Sequence, residues 1–109
     1  MVPAHVREKL SLYSYMIKRG KPAASMAIQS RYVEDVRELL AQLSVSYTLQ
    51  PLTDDWYTLW MYKHPHILDI IAQLPQAPKT SFDHWVLGKL YGYDEASISE
   101  FLVKLDRSP

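Results

Sequence analysis

Two pairs of side chains are of types that can bind a metal ion or transfer protons. His64 and His66 flank a proline, and histidines two residues apart share a face when the chain is a β-strand. This pair lies where a predicted strand ends and a predicted helix begins, so a shared face does not follow, and we treat both as weak metal-ligand candidates. Asp54 and Asp55 are also adjacent, but such pairs are typical of a solvated hairpin turn.

The sequence contains no motif for a catalytic nucleophile or a phosphate-binding loop. There is no Gly-x-Ser-x-Gly, no His-Glu-x-x-His and no glycine-rich loop, and the 109 residues include no cysteine. The absence of cysteine excludes a disulfide scaffold, a thiolate zinc site and a cysteine nucleophile. We therefore predict that the protein is not an enzyme and uses no cofactor.

Charge is distributed unevenly along the chain, although its net charge is zero. Residues 1–31 carry six Lys or Arg and one acid, a net charge of +5, whereas residues 32–109 carry six basic and eleven acidic residues, a net charge of −5. A basic N-terminal segment can bind nucleic acid, here through Lys18, Arg19, Lys21 and Arg31. We favour the alternative, in which the two halves attract each other and Lys18 and Arg19 stabilise the end of the first helix.

Aromatic side chains are concentrated in one predicted strand, which contains Trp56, Tyr57, Trp60 and Tyr62. A strand covered on both faces needs large side chains, so a place in the core is the favoured interpretation. The alternatives are a protein interface, a surface that stacks nucleic-acid bases beside Arg31, and a pocket for a small organic ligand. Among these we rank the protein interface first.

Periodic apolar residues and turn residues predict five helices and three strands. The first helix is predicted to end before Gly20. Ser30 and Ser81 are the predicted caps of later helices, and Pro51 is predicted to end the second strand. The predicted helices cover residues 3–19, 31–43, 64–74, 82–91 and 94–105, and the predicted strands cover residues 23–29, 45–50 and 56–63.

The order of elements predicts an α+β fold with a ferredoxin-like β-α-β-β-α core. The third strand should be central, because it alone is apolar on both faces. We expect the helices that follow strands one and three to cover one face, and the first helix and the C-terminal pair to cover the other. The organisation is one domain over residues 1–109, with an N-terminal helix (1–20), the core (21–75) and a C-terminal helical hairpin (81–106).

Residues 87–98 resemble a helix-turn-helix. Gly88 lies four residues before the turn residue Gly92, and Ile98 lies six residues after it. In that motif the small residue allows the two helices to approach closely. The second helix begins with Asp94 and Glu95, whose negative charge would repel a nucleic-acid duplex, so we interpret the segment as a packing corner.

These observations favour a small non-catalytic partner-binding or regulatory protein that associates with itself as a homodimer. Binding of nucleic acid, through the basic segment or the C-terminal pair, is the alternative, and binding of a small molecule in an aromatic pocket is the third. No apolar run approaches the roughly 18–20 residues of a membrane span, and the first nine residues contain no apolar signal region. We expect a cytoplasmic protein with no membrane partner.

Overall fold

Five helices and three strands make up the computed structural model, which describes residues 2–107. Within those residues no helix combines the length and the apolar character that crossing a bilayer requires. A single 3₁₀ turn, Ser30–Tyr32, precedes the second helix. The helices are α1 (Ala4–Lys18), α2 (Val33–Leu43), α3 (Pro65–Gln73), α4 (Ser81–Leu90) and α5 (Glu95–Arg107), and the strands are β1 (Ala23–Gln29), β2 (Ser46–Thr53) and β3 (Trp56–Tyr62).

The three strands form one antiparallel sheet in the order β1-β3-β2. Tyr62 at the end of β3 pairs with Ala23 on one side and with Ser46 on the other. The α+β class and the central position of the third strand agree with the sequence prediction. Leu59 and Met61 are fully buried and Trp60 is 7% exposed, so both faces of β3 are covered.

One face of the sheet is covered by α1 and α2. Leu10 and Ile17 of α1 pack with Val36 and Leu40 of α2 against the β3 side chains Leu59 and Met61, and all six are buried. Leu10 and Ile17 belong to the apolar stripe that the periodicity predicts for the first helix. These helices therefore make the larger of the two apolar clusters.

The other face is covered by α3 and α4, so the predicted distribution of helices between the faces is wrong. Ile67 and Ile71 of α3 and Leu90 of α4 pack with Trp60. The sequence prediction placed the helices that follow strands one and three, which are α2 and α3, on the same face of the sheet. In the structure α1 already occupies the space beside α2, and the large Trp60 side chain on the opposite face provides the apolar surface that α3 needs.

Three predicted element boundaries are also wrong. The second strand continues through Pro51 to Thr53, because β2 is an edge strand and a proline is tolerated there, beside a register shift. Ser30 is not a helix cap, since it begins the 3₁₀ turn and α2 starts only at Val33. The cap of α4 is Thr80 and not Ser81: Thr80 Oγ1 accepts from Asp83 N at 3.1 Å, and the Asp83 carboxylate accepts from Thr80 N.

Replacing Thr80 with Ala should lower the free energy of unfolding by about 1 kcal/mol, because α4 loses its capping side chain. Ser81→Ala is the matched control, since Ser81 is exposed and lies one position inside the helix; its effect should stay within about 0.5 kcal/mol. Urea denaturation followed by circular dichroism measures both. An equal loss of stability in the two variants would contradict the assignment of the cap.

Ser14 is a buried polar side chain in the middle of α1. It is 2% exposed, and its Oγ makes no hydrogen bond with the described residues. Because such a group loses its hydration without compensation, Ser14→Ala should raise the free energy of unfolding by about 1–2 kcal/mol. Ser11→Ala, on the exposed side of the same helix, should raise it by only about 0.5 kcal/mol. Destabilisation by Ser14→Ala in urea denaturation would contradict this account.

Candidate functional site

Trp60 and Tyr62 of the predicted aromatic surface lie on the face that α3 and α4 cover. The Trp60 ring stacks on the Tyr91 ring at a centroid distance of 5.7 Å and an interplanar angle of 8°. Tyr62 is half-buried against the same cluster. Tyr91 is held in turn by a 2.8 Å hydrogen bond between its hydroxyl and Ser25 Oγ. These aromatic side chains fasten the end of α4 to the sheet.

Trp56 and Arg31 both line a groove at the C-terminal end of β1. Tyr57, also in β3, is half-buried and does not line this groove. The groove has a volume of about 440 Å³. Trp56 is 37% exposed. The Arg31 guanidinium lies 4.8 Å from the centroid of the Tyr32 ring, and its Nε donates to Gln29 Oε1 at 2.8 Å. The five aromatic and basic residues predicted as one binding surface therefore lie in separate places.

Two of the four cations considered for nucleic-acid binding hydrogen-bond to carbonyls at the ends of helices. Lys18 Nζ donates to the carbonyl of Leu43, the last residue of α2, and Lys21 Nζ donates to the carbonyl of Tyr91. Burial lowers the pKa of Lys21. Arg19 lies over the Tyr15 ring at 5.5 Å. Lys18 and Lys21 therefore bind carbonyls at the C-terminal ends of helices, where the helix dipole favours cations.

The two candidate metal-binding pairs are exposed. The rings of His64 and His66 stack at a centroid distance of 5.6 Å, and across residues 2–107 no group of three or more histidine or acidic side chains is placed to hold a metal. Asp54 and Asp55 form the turn between β2 and β3, where the Asp55 carbonyl accepts from Ser30 N at 2.8 Å. That position agrees with the interpretation of the aspartates as a hairpin turn.

The α4–α5 pair, which we call the C-terminal hairpin, has the close helix contact that its spacing predicts. A Cβ atom on Gly88 would lie 2.7 Å from Ile98 Cγ1 and 2.9 Å from Ile98 Cδ1. Gly92 forms the turn with a φ of +88°. Asp94 then caps α5 by accepting from Ser97 N at 2.8 Å, and this hydrogen bond lowers the pKa of Asp94. The hairpin is built around the Gly88–Ile98 contact.

A polar cluster joins the same two helices at their exposed side. The Trp85 indole donates to both Glu95 carboxylate oxygens at 3.2 Å, and Lys89 Nζ lies 2.7 Å from Glu95 Oε1. The hydrogen bond from Lys89, and to a smaller extent the one from Trp85, holds the pKa of Glu95 below its ordinary value. The first acid of α5 therefore serves to attach α5 to α4.

Much of the predicted apolar face of α5 is exposed. Ile98 is buried and Leu102 is half-buried, but Phe101 is 48% exposed and Leu105 is 38% exposed. The periodicity finds this stripe, but the prediction that it packs on the sheet is wrong, because Ile98 packs on Gly88 of α4 and the outer half of the stripe is exposed. Six of the eleven large hydrophobic side chains that are exposed among residues 2–107 belong to the C-terminal hairpin: Phe82, Trp85, Tyr93, Phe101, Val103 and Leu105.

A cavity of about 500 Å³ lies beside this stripe, between α4 and α5. Aromatic rings from three places meet in it: Tyr91 from the end of α4, Tyr93 from the turn and Phe101 from α5. His84 contacts the edge of Phe101 at a centroid distance of 5.4 Å. Sequence reasoning missed this site, because its aromatic residues are spread over the last third of the chain.

Replacing Gly88 with Ala should have opposite effects in two backgrounds. In the natural chain the new methyl group meets Ile98, and overpacking of about 1–3 kcal/mol outweighs the roughly 1 kcal/mol that Ala gains over Gly in a helix. In the Ile98→Ala background the obstacle is gone, so Gly88→Ala should stabilise by about 1 kcal/mol. Chemical denaturation of the four proteins measures this cycle, and stabilisation in both backgrounds would contradict the close contact.

Comparison with known proteins provides no relative from which a function can be carried over. No protein-family model matches the chain, and no curated protein sequence matches it. The case for a function therefore comes from this chain's own residues, above all from the exposed apolar side chains of the C-terminal hairpin.

Proposed function

We propose that this is a small non-catalytic partner-binding or regulatory protein that forms a homodimer through the C-terminal hairpin. The observation that carries the proposal is the exposed stripe of α5, with Phe101 and Leu105 in a helix that is otherwise packed on α4. Each square ångström of apolar surface removed from water contributes about 25 cal/mol, and a dimer gains this contribution from both copies.

The charges of α5 and of the whole chain are compatible with the pairing of two copies. Glu100 and Lys104 lie one turn apart on α5, with Glu100 Oε1 3.6 Å from Lys104 Nζ, and both side chains are more than 70% exposed. These opposite charges compensate each other within the chain, so they do not repel a second α5 helix. The net charge of zero adds no long-range repulsion between copies.

The α1-α2-sheet layer supports a finer description of the core. We infer that β1, α2, β2 and β3 form the split unit of a ferredoxin-like core, with α1 in the position beside α2 that a later helix of such a core would fill. The strand order and the packing of α1 with α2 support this inference. This inference concerns the core of the fold, and it does not determine which surface binds a partner.

Binding of a small molecule is the second candidate, and the cavity beside Phe101 favours it. Its volume of about 500 Å³ lies within the range of ligand sites, and its lining is mainly apolar with His84 and Tyr93 as polar groups. Nucleic acid ranks below both candidates, since Lys18 and Lys21 hydrogen-bond within the chain. A ligand of the cavity would quench or shift the fluorescence of Tyr91 and Tyr93, which line it, without changing the oligomeric state of the protein.

Phe101→Ser should weaken the homodimer by about tenfold or more, because it removes an aromatic anchor from the centre of the interface. Val103→Ser is the matched control: Val103 is 47% exposed on the same helix but points away from the stripe. Sedimentation equilibrium over a range of concentrations measures the dissociation constants.

The natural protein and Val103→Ser should show similar dissociation constants. A natural protein that keeps the 12.7 kDa mass of one chain at every concentration would contradict the homodimer. Equal weakening by the two substitutions would contradict the stripe as its interface.

A further inference from the structure

Among residues 2–107, no strand lies beside the outer edge of β1. Within this described part of the chain, β1 pairs with β3 only, and no backbone hydrogen bond joins the residues of β1 to any segment other than β3. The opposite edge of the sheet is different, because β2 contains Pro51 and a register shift, features that discourage pairing with another strand. β1 contains no proline, charge or bulge, so its edge is open to a further strand.

A groove follows this edge over four consecutive residues, 26–29. Because successive residues of a strand point to opposite faces, a groove lined by all four includes the strand edge itself. The first turns of α1 form one wall through His5, Val6 and Lys9, and Arg31, Tyr32 and Trp56 close the end. The resulting shape, a strand edge with a helix beside it, has room for an extended peptide.

The lining of this groove is basic. His5, Lys9 and Arg31 line it, and no carboxylate of residues 2–107 does. Lys9 has no ion pair among residues 2–107, and the only side-chain hydrogen bond of Arg31 there is the one that its Nε donates to Gln29. These cations are placed to meet carboxylates of a bound segment.

We propose that the outer edge of β1 binds an extended acidic segment of a partner protein by β-strand addition. The backbone of the segment pairs with β1, its acidic side chains meet Lys9 and Arg31, and one apolar side chain packs beside Trp56 and Val6. The proposal is independent of the C-terminal hairpin. A second copy of β1 fits less well, because it would bring together two grooves lined by His5, Lys9 and Arg31, whose like charges repel.

The test uses fluorescein-labelled peptides and the full chain, with fluorescence anisotropy as the readout. The first probe alternates Glu and Val, the second alternates Lys and Val, and the third repeats the first with N-methyl groups on alternate backbone nitrogens. The Glu–Val peptide should bind about tenfold or more tightly than either of the others. The Lys–Val peptide tests the charge of the groove, and the methylated peptide tests the backbone pairing.

Two protein variants with the same change of net charge locate the site. Lys9→Glu with Arg31→Glu should weaken binding of the Glu–Val peptide by about tenfold or more, whereas Arg7→Glu with Arg37→Glu should leave it nearly unchanged, since neither residue lines the groove. Circular dichroism verifies that both variants fold. Equal binding of the three peptides, equal effects of the two variants, or no binding would overturn the proposal.

The same variants separate this proposal from the homodimer. Sedimentation equilibrium of Lys9→Glu with Arg31→Glu should give the dissociation constant of the natural protein, because the hairpin is untouched. A weaker dimer in this variant, but not in Arg7→Glu with Arg37→Glu, would show that β1 pairs with a second copy, which would also overturn the acidic-peptide proposal.

Discussion

The structure depends on the central strand β3, in which three consecutive residues are apolar and buried. Leu59 and Met61 point to one face of the sheet and Trp60 to the other, so both faces must be covered for the strand to leave water. A chain of 109 residues has few helices with which to cover both faces of the sheet. Four of the five described helices meet this need, two on each face.

The position of α5 follows from that division. With α1 and α2 on one face and α3 and α4 on the other, the sheet has no face left for a fifth helix. α5 therefore packs on α4, where Gly88 removes the side chain that would hold Ile98 away. The part of its stripe beyond Ile98 extends past this contact, and Phe101 and Leu105 are exposed as a result.

Much of the fold could be predicted because local patterns determine it. The alternation of apolar and polar residues predicts β1 at its observed bounds, and the helical periodicity of apolar residues predicts the buried stripe of α1. The spacing of Gly88 and Ile98 predicts the close contact between α4 and α5. The face that each helix covers could not be predicted, since it depends on which stripe fits beside Trp60. The cap at Thr80 was missed because Thr and Ser are adjacent there and both can cap.

The candidate sites were harder to predict, because exposure is a property of the whole fold. Trp60 and Phe101 are both aromatic residues in apolar stripes, yet the first is a core residue and the second is exposed. The groove at β1 joins Arg31 and Trp56 with the start of α1, over fifty residues away from Trp56 along the chain, and no short motif marks it. Only the packing of α1 against the sheet brings these residues together.

The most direct test of the central claim, that the exposed stripe of α5 is a dimer interface, is hydrogen–deuterium exchange at several protein concentrations. The account predicts that amides of α5 become more protected as concentration rises, because pairing suppresses the opening of a helix held mainly by α4. Amides of α2, which is packed on the sheet in each copy, should show no change. Protection of α5 that stays the same from the lowest to the highest concentration would contradict the account.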